Sequence, residues 1–172
     1  MRTFARVVSN WVYHLILSYV QNVEDTEEIT QDVVLAALRG LKNYQQAASL
    51  KTWVYRIAIN KSKDFLKYKN RKKRLGKVVS IFSSDNQSIL HQGVDFIHPG
   101  IALEHQEDVI RLMKTIDRLA EHQKTALILV KLEHKTQKEV AAIMQLTPKA
   151  VEGLVSRAKN NLRRLLKAER EQ

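Results

Sequence analysis

The sequence contains no cysteine and only two prolines and five glycines among its 172 residues. The absence of cysteine excludes disulfides and thiol chemistry and fits a reducing cytosol. Helix-breaking residues are scarce, whereas leucine, alanine, lysine and glutamine are abundant, so the composition indicates a helical fold. A chain of this length forms one domain or two small ones.

A long uninterrupted apolar run is also missing. The most apolar stretch near the start, residues 7–20, is interrupted by serine, asparagine and histidine. It is too short and too polar to span a bilayer, and no small-residue cleavage site follows it. We therefore predict an ordinary amphipathic helix from Phe4 to about Gln21.

Acidic residues are too few to balance the basic ones, and the formal net charge is +11. The imbalance is concentrated in residues 51–77, where eleven Lys or Arg side chains accompany one acid, Asp64. Such an excess favours an anionic partner, either nucleic acid or an acidic membrane surface.

A helix that carries this positive charge is predicted to begin after Ser49, a good N-cap residue. Apolar residues at helical spacing predict its buried face, namely Leu50, Val54, Ile57, Ala58 and Phe65. Beside that face lies what we call the basic stripe, formed by Trp53, Arg56, Asn60, Lys63 and Lys67. With the neighbouring Tyr55 and Tyr68, the stripe can contact phosphates by charge and unstacked bases by stacking. The alternative is a solvated helix whose lysines only maintain solubility, but the sign bias and the aromatic residues favour nucleic acid.

The connection at residues 41–48 is rich in amides and contains Tyr44. It could bind a base displaced from its strand, or it could be a simple polar loop. The spacing of its residues does not distinguish these two interpretations.

An acidic helix precedes this connection. We predict Asp25 as its N-cap with Glu28 as the reciprocal partner, an end near Leu41, and Gly40 in the C-terminal cap region. Acidic side chains in the first turn of a helix are stabilised by the partial positive charge of its N-terminus. That effect does not explain a face on which a leucine lies among polar groups, formed by Glu28, Gln31, Asp32, Leu35 and Arg39. Such a face suits a protein partner better than DNA, which would repel it.

Residues 78–110 contain no Lys or Arg, and a linker of roughly 25 residues without a sustained period is predicted within this region. Its length predicts a functional or disordered connection. His91, His98 and His105 lie seven residues apart. Without cysteine or a histidine pair at helical ligand spacing, we predict no metal site there.

The C-terminal part predicts a helix-turn-helix. A capping box spans residues 136–139, a tight turn follows at 145–146, and Thr147 caps a long basic helix whose first residue is Pro148. Two capped helices joined by a short turn are typical of this motif, and a plain helical hairpin is the alternative.

Residues 25–66 and 119–166 together resemble the bacterial RNA polymerase sigma factors of the extracytoplasmic-function type. The resemblance depends on three motifs in combination: a D-x-E-E-x-x-Q-D helix, an S-x-x-T-W-x-Y-R-I-A-x-N helix and the helix-turn-helix. It implies an all-α fold of two small helical domains. A region 2-like three-helix domain would occupy residues 1–74, a flexible linker 75–103, and a region 4-like helix-turn-helix domain 104–172.

The resemblance implies three binding sites. The acidic helix would bind the clamp coiled coil of the largest polymerase subunit through Glu28, Gln31, Asp32 and Leu35. The next loop and helix would recognise and hold open the minus-ten promoter element through Asn43, Tyr44, Lys51, Trp53, Tyr55, Arg56, Asn60 and Lys63. The last helix would read the duplex minus-thirty-five element through Thr147, Lys149, Gly153, Ser156, Arg157 and Lys159.

The function that the resemblance implies is promoter-specific transcription initiation in the cytoplasm, including promoter melting. The expected partners are core RNA polymerase and promoter DNA, and no cofactor is expected. The family commonly has anti-sigma proteins, although no residue here identifies one. The sequence contains no nucleotide-binding loop or catalytic constellation, so we predict that the protein is not an enzyme. The alternative function is a stand-alone helix-turn-helix regulator that binds duplex operators as a dimer.

The chain departs from the family pattern in three respects. It begins almost immediately at its first helix, so we expect a trimmed start or a smaller first domain. Glu152-Gly153-Leu154 stands where members often carry Lys-Ser-Arg, and Glu152 would repel a phosphate, so the base preference is expected to differ. Gln145 stands where glycine is common, and a positive φ there would cost roughly 1 kcal/mol.

Overall fold

The computed structural model describes residues 2–82 and 106–171, and in those two ranges every regular element is a helix. The predicted all-α fold is therefore confirmed for this part of the chain. Most of the predicted linker, with His91, His98 and His105, lies outside the described residues. The elements in chain order are α1 (Arg2–Val20), α2 (Val23–Gly40), a 3-10 turn (Leu41–Asn43), α3 (Leu50–Phe82), α4 (Gln106–Asp117), α5 (Glu121–Leu127), a π-helical segment (Ile128–Leu132), α6 (Gln137–Met144) and α7 (Pro148–Arg170).

Helices α1, α2 and α3 pack against one another as a three-helix unit. Each contributes apolar residues at helical spacing, which places one side of every helix in a shared core. The fully buried members are Val8, Val12, Leu15 and Ile16 of α1, Val33 and Ala37 of α2, and Val54 and Ala58 of α3. The buried face predicted for α3 is thus centred on Val54 and Ala58.

The start of α2 differs from the prediction. Asn22 is the N-cap, with an extended backbone (φ −144°, ψ 132°), and its side-chain oxygen accepts a hydrogen bond from the Asp25 amide at 2.8 Å. The prediction of Asp25 as the cap and Glu28 as its partner is wrong. The chain turns at Gln21, whose φ is 55°, so the helix begins before Asp25. The Asp25 carboxylate is consequently free to pair with Lys69 of α3.

Helices α4 to α7 and the π-helical segment form the second unit, with Ile128, Leu129, Val140, Val151 and Ala158 fully buried. Helix α5 is continued by the π-helical segment, which ends at Leu132. The capping box at Thr136 and Glu139 is present as predicted. The Thr147 hydroxyl accepts a hydrogen bond from the Ala150 amide at 3.2 Å, and Pro148 is the first residue of α7.

The two units are in direct contact. Helix α3 packs on α6, and α1 packs on the π-helical segment. The buried apolar side chains of both units form one contiguous cluster. This packing determines which surfaces of α3 remain accessible.

The turn between α6 and α7 contains a strained residue. Gln145 has φ 57° and ψ 44°, the left-handed conformation that glycine adopts more readily than any residue with a Cβ. The Leu146 amide donates to the Ala141 carbonyl at 2.9 Å, which closes the end of α6. The positive φ considered from the sequence is therefore present.

Replacing Gln145 with glycine is expected to raise the free energy of unfolding by roughly 0.5–1 kcal/mol. Glycine has no Cβ, so it adopts the left-handed backbone without the steric cost that glutamine has. A urea titration of Gln145→Gly against the unmodified chain measures the change. Gln137→Gly, which makes the same exchange at the helical first residue of α6, is the matched control and should lower stability. Equal losses in both variants would refute the strain at Gln145.

Candidate nucleic-acid and protein interfaces

The acidic face predicted on α2 is assembled and accessible. Glu28, Gln31, Asp32 and Leu35 are all exposed on the outer side of this helix. Leu35 is 49% exposed, and Asp32 pairs with Lys61 of α3 at 3.3 Å at the edge of the face. A large apolar side chain beside acidic residues is unfavourable when it is exposed to water. It is complementary to a partner that offers an apolar pocket with a basic rim.

The amide-rich connection forms a surface cavity of about 210 Å³. Its lining consists of Asn43, Tyr44, Gln45, Ala47, Ala48, Trp53 and Arg56. The Tyr44 hydroxyl donates to the Ala48 carbonyl, and the Tyr44 ring lies 5.2 Å from the Trp53 ring at a tilt of 40°. Amides, two aromatic rings and a guanidinium are the groups that hold an extruded base by hydrogen bonding and stacking.

Gly40 provides the space that this cavity requires. A Cβ at Gly40 would lie 2.8 Å from Cζ2 of Trp53, closer than real Cβ atoms approach other atoms. Its φ is −77°, so the glycine ends α2 without a left-handed cap conformation. Trp53 is half-buried against this glycine and Tyr44 and forms a wall of the cavity. Sequence reasoning missed this contact because no local pattern links residues 40 and 53.

Most of the basic stripe faces the second unit. The Arg56 guanidinium donates to the Ala142 carbonyl at 2.7 Å, while the Lys63 and Lys67 ammonium groups lie 3.1 and 3.8 Å from the Glu121 carboxylate. Asn60 remains exposed. The stripe is therefore positioned as one surface. Much of it is occupied by carboxylate and carbonyl oxygens from 54 or more residues away in the sequence.

The remaining predicted members of the minus-ten set lie at the edges of this surface. Tyr55 is only 3% exposed, and its hydroxyl donates to the Glu133 carboxylate at 3.0 Å. Burial, followed by the negative charge of Glu133, raises the pKa of the Tyr55 hydroxyl, which stays protonated as a donor. Lys51 is exposed, with its ammonium 5.6 Å from the Trp11 ring centroid.

The pKa of the Glu121 carboxyl is lowered, first by its hydrogen bond from Lys63 and also by the charges of Lys63 and Lys67. Lys63 and Lys67 thus offer two ammonium groups to an anion at this position. A phosphate at the same position would receive the same charge-assisted hydrogen bonds.

Helix α7 presents the predicted recognition side to solvent. Lys149, Ser156, Arg157 and Lys159 are exposed, whereas Val151 and Ala158 on the opposite side are fully buried. The space beside Gly153 is open, since a Cβ there would meet only the Arg157 guanidinium, at 3.8 Å.

Two details refine this recognition side. The Thr147 hydroxyl caps the start of α7 by accepting a hydrogen bond from the Ala150 amide. The Arg157 side chain folds back along the helix and donates a hydrogen bond to the Gly153 carbonyl at 3.2 Å. Glu152 lies exposed in the middle of the surface.

Within residues 2–82 and 106–171, no group of three His, Asp or Glu side chains is arranged to hold a metal ion. In the same ranges, no helix combines the length and the apolar character needed to cross a membrane.

Comparison with known families decides between the two functions considered from the sequence. Residues 4–72 match sigma-70 region 2, and residues 110–162 match sigma-70, region 4. The chain belongs to the extracytoplasmic-function sigma factors. As a sigma factor it directs promoter-specific transcription initiation, and the stand-alone regulator is not favoured, because region 2 is present as well as the helix-turn-helix.

Individual relatives agree with this assignment. The RNA polymerase sigma-H factor of Pseudomonas aeruginosa is 28% identical over 88% of this sigma factor and 78% of its own length. The RNA polymerase sigma factor CnrH of Cupriavidus metallidurans is 27% identical over 86% of this sigma factor and 76% of its own length. The ECF RNA polymerase sigma-E factor of Escherichia coli is also 27% identical, over 86% of this sigma factor and 76% of its own length.

Two solved structures share the fold. The sigma factor RpoE of Bartonella quintana, in complex with the anti-sigma factor NepR, superposes with a TM-score of 0.63 at 24% identity, covering 96% of each chain. CnrH in complex with the cytosolic domain of CnrY superposes with a TM-score of 0.65 at 22% identity, covering 97% of this sigma factor and 89% of CnrH.

Gly40→Ala is expected to lower the free energy of unfolding by roughly 1–3 kcal/mol, because the new methyl group displaces the Trp53 ring. Thermal unfolding followed by circular dichroism, with Trp fluorescence to report on the ring, measures the effect. The matched control is Gly153→Ala, which adds a methyl group in open space within a helix and should raise stability by up to about 1 kcal/mol. A neutral Gly40→Ala would contradict the packing described for the cavity wall.

Proposed function

We propose that this sigma factor divides its task among three surfaces. The acidic face of α2 binds core RNA polymerase, the cavity and basic stripe capture the melted minus-ten strand, and α7 reads the duplex minus-thirty-five element. The observation that carries the proposal is the cavity built from the connection at 41–48 with Trp53 and Arg56, beside a stripe that stabilises negative charge.

Strand capture on this surface needs no catalytic step and no nucleotide hydrolysis. Opening a base pair costs a few kcal/mol, and stacking a base on an aromatic side chain returns about 1–3 kcal/mol. Tyr44 and Trp53 supply such stacking surfaces, while the cations of the stripe neutralise the backbone of the captured strand. The protein thus acts as a binding subunit rather than as an enzyme.

Recognition of the duplex element by α7 follows from its exposed side. The helix offers Lys149 and Lys159 to phosphates and Ser156 and Arg157 to base edges. Glu152 lies among them, and a carboxylate accepts a hydrogen bond from the cytosine amino group. We therefore infer a base preference in which cytosine is favoured opposite this position.

We place this activity in the bacterial cytoplasm, where core polymerase transcribes the chromosome. The B. quintana RpoE structure contains an anti-sigma factor, and its fold matches this chain along 96% of both lengths. We include a protein of that class among the partners of this sigma factor.

The first experiment is in-vitro transcription with purified bacterial core polymerase over a pool of promoter fragments, with and without the protein. Discrete start sites that appear only with the protein support the proposal and define both promoter elements. Absence of stimulation and of a complex with core, together with tight binding to a palindromic duplex, would overturn it in favour of an operator-binding regulator.

The polymerase-binding face is tested by Leu35→Ala. Loss of a central exposed leucine is expected to weaken binding to core by roughly 5- to 30-fold, measured by fluorescence anisotropy. Val23→Ala is the matched control, since Val23 is an exposed apolar residue at the start of the same helix, outside the face. Equal effects of the two substitutions would place the polymerase contact elsewhere.

The strand-capture cavity is tested by Tyr44→Ala. Loss of the stacking surface is expected to reduce promoter opening by roughly 5- to 150-fold while duplex binding is retained, because stacking contributes about 1–3 kcal/mol per base. Permanganate reactivity of the minus-ten region measures opening, and gel mobility shift measures duplex binding. Tyr13→Ala, at a tyrosine on α1 that lies outside the cavity lining and outside the stripe, is the control. Undiminished opening in Tyr44→Ala would eliminate the cavity as the capture site.

A further inference from the structure

A second cavity, of about 130 Å³, lies between α3 and the C-terminal unit. The proposed function assigns no role to it. Its polar lining residues are Arg56, Asn60 and Lys63 from α3, His122 from α5 and Gln145 from the turn after α6, and most of the remaining lining is apolar. We call this set of five polar residues the junction site. Asn60, His122 and Gln145 are exposed, so the cavity opens to solvent on their side.

The polar groups of the junction site are hydrogen-bond donors. Arg56 and Lys63 are cations, and the amides of Asn60 and Gln145 and the ring of His122 supply further N–H groups. Among the described residues, the cavity lining contains no carboxylate. An oxyanion accepts hydrogen bonds on several oxygen atoms, and bonds from charged donors to it are stronger than neutral ones. The chemistry of the lining is therefore complementary to a compact oxyanion.

The Arg56 guanidinium has a donor without a partner. One of its terminal nitrogens donates to the Ala142 carbonyl at 2.7 Å, whereas its Nε is buried and has no acceptor among the described residues. Unpaired buried donors are costly and rare in native structures. Arg56 also lines the cavity formed by the connection at 41–48, so it lies between the two cavities. An oxyanion beside this guanidinium would supply the missing acceptor.

The Lys63 ammonium is only partly engaged. Its side chain is 16% exposed, and the ammonium lies 3.1 Å from the Glu121 carboxylate, which is outside the cavity lining. An ammonium has three N–H donors, so this ion pair leaves donors for an anion in the cavity. Glu121 also reduces the net positive charge nearby. The junction site therefore depends more on the placement of its donors than on net charge, which favours a compact oxyanion over an extended polyanion.

The strained backbone of Gln145 supports a role for its side chain. The end of α6 uses only the backbone of this residue, whose N–H donates to the Ala141 carbonyl. Glycine would provide the same N–H at φ 57° with less steric cost. Strained residues cluster at functional sites, where the surrounding structure maintains them. Here the retained side chain is the one that lines the mouth of the cavity.

We propose that the junction site binds the phosphate group of a small molecule, either inorganic phosphate or a phosphomonoester. The cavity has about four times the roughly 30 Å³ that one water occupies in the liquid, so a phosphate group fits inside it. The rest of a larger ligand extends through the opening. Arg56, Lys63 and Gln145 donate to the phosphate oxygens. This inference does not depend on strand capture, because binding is measured without DNA or polymerase.

Isothermal titration calorimetry of the full chain with inorganic phosphate tests the site, with chloride used to keep the ionic strength constant. Adenosine 5′-monophosphate is the phosphomonoester probe, and adenosine is its control without phosphate. Saturable binding of a single phosphate is expected, with none for adenosine. Tighter binding of the monophosphate than of inorganic phosphate assigns the site to phosphomonoesters, and the reverse order assigns it to free phosphate. Absence of saturable binding for both would overturn the proposal.

Substitutions of Gln145 separate ligand binding from folding. Gln145→Gly and Gln145→Ala both remove the amide, so each is expected to weaken phosphate binding by roughly 5- to 30-fold. Only Gln145→Gly relieves the left-handed strain, so only this variant should also unfold at a higher temperature without ligand. A purely structural role for Gln145 would not combine higher stability with weaker binding. Unchanged phosphate affinity in both variants would refute the junction site.

A histidine pair locates the phosphate independently of the turn. His122→Ala is expected to weaken phosphate binding by roughly 2- to 10-fold, because one hydrogen-bond donor is lost. His14→Ala, at an exposed histidine of α1 outside the cavity lining, is the matched control and should leave the affinity unchanged. Circular dichroism establishes that each variant is folded. Equal affinities of the two histidine variants would place the phosphate on another basic surface and overturn the proposal.

The outcome for the junction site is distinguishable from the outcome for the proposed function. A chain that directs promoter-specific transcription with core but binds neither phosphate nor the monophosphate overturns the junction site alone. A chain that binds phosphate through Gln145 and His122 but neither binds nor stimulates core supports the junction site and overturns the proposed function.

Discussion

The concentration of positive charge along α3 is the constraint that the rest of the structure must satisfy. Like charges three or four residues apart on one helix repel each other, so a helix of this composition needs acids from elsewhere. Helix α2 supplies Asp25 to Lys69 and Asp32 to Lys61, while α5 supplies Glu121 to Lys63 and Lys67. These ion pairs join α3 both to α2 and to the C-terminal unit.

The features that could be predicted from the sequence are those set by neighbours along the chain. The capping box at Thr136, the Thr147 cap and the apolar periodicity of α3 depend on residues within a few positions, so the pattern contains the information. The assembly of the acidic face on α2 has the same origin. The sequence pattern of α2 identified its exposed leucine, because an apolar residue there lies on an otherwise polar face of the helix.

The features that could not be predicted depend on distant residues or on backbone geometry. Gln21 adopts a positive φ, which its residue type does not predict. The turn of the backbone there places the N-cap of α2 at Asn22 rather than at Asp25. The need for glycine at position 40 arises from the Trp53 ring, which only the fold brings against it. The hydrogen-bond partner of the Tyr55 hydroxyl is Glu133, 78 residues further along the chain.

Main-chain oxygens serve as acceptors in three of the contacts between the two units. Lys124 binds the Tyr19 carbonyl, Gln21 the Met113 carbonyl and Arg56 the Ala142 carbonyl. A carbonyl oxygen is present whatever side chain its residue carries, so these acceptors survive substitution at positions 19, 113 and 142. Helix α7 supplies none of them. Substitutions on the exposed side of α7, which we propose to read the duplex element, can therefore accumulate while the association between the units is retained.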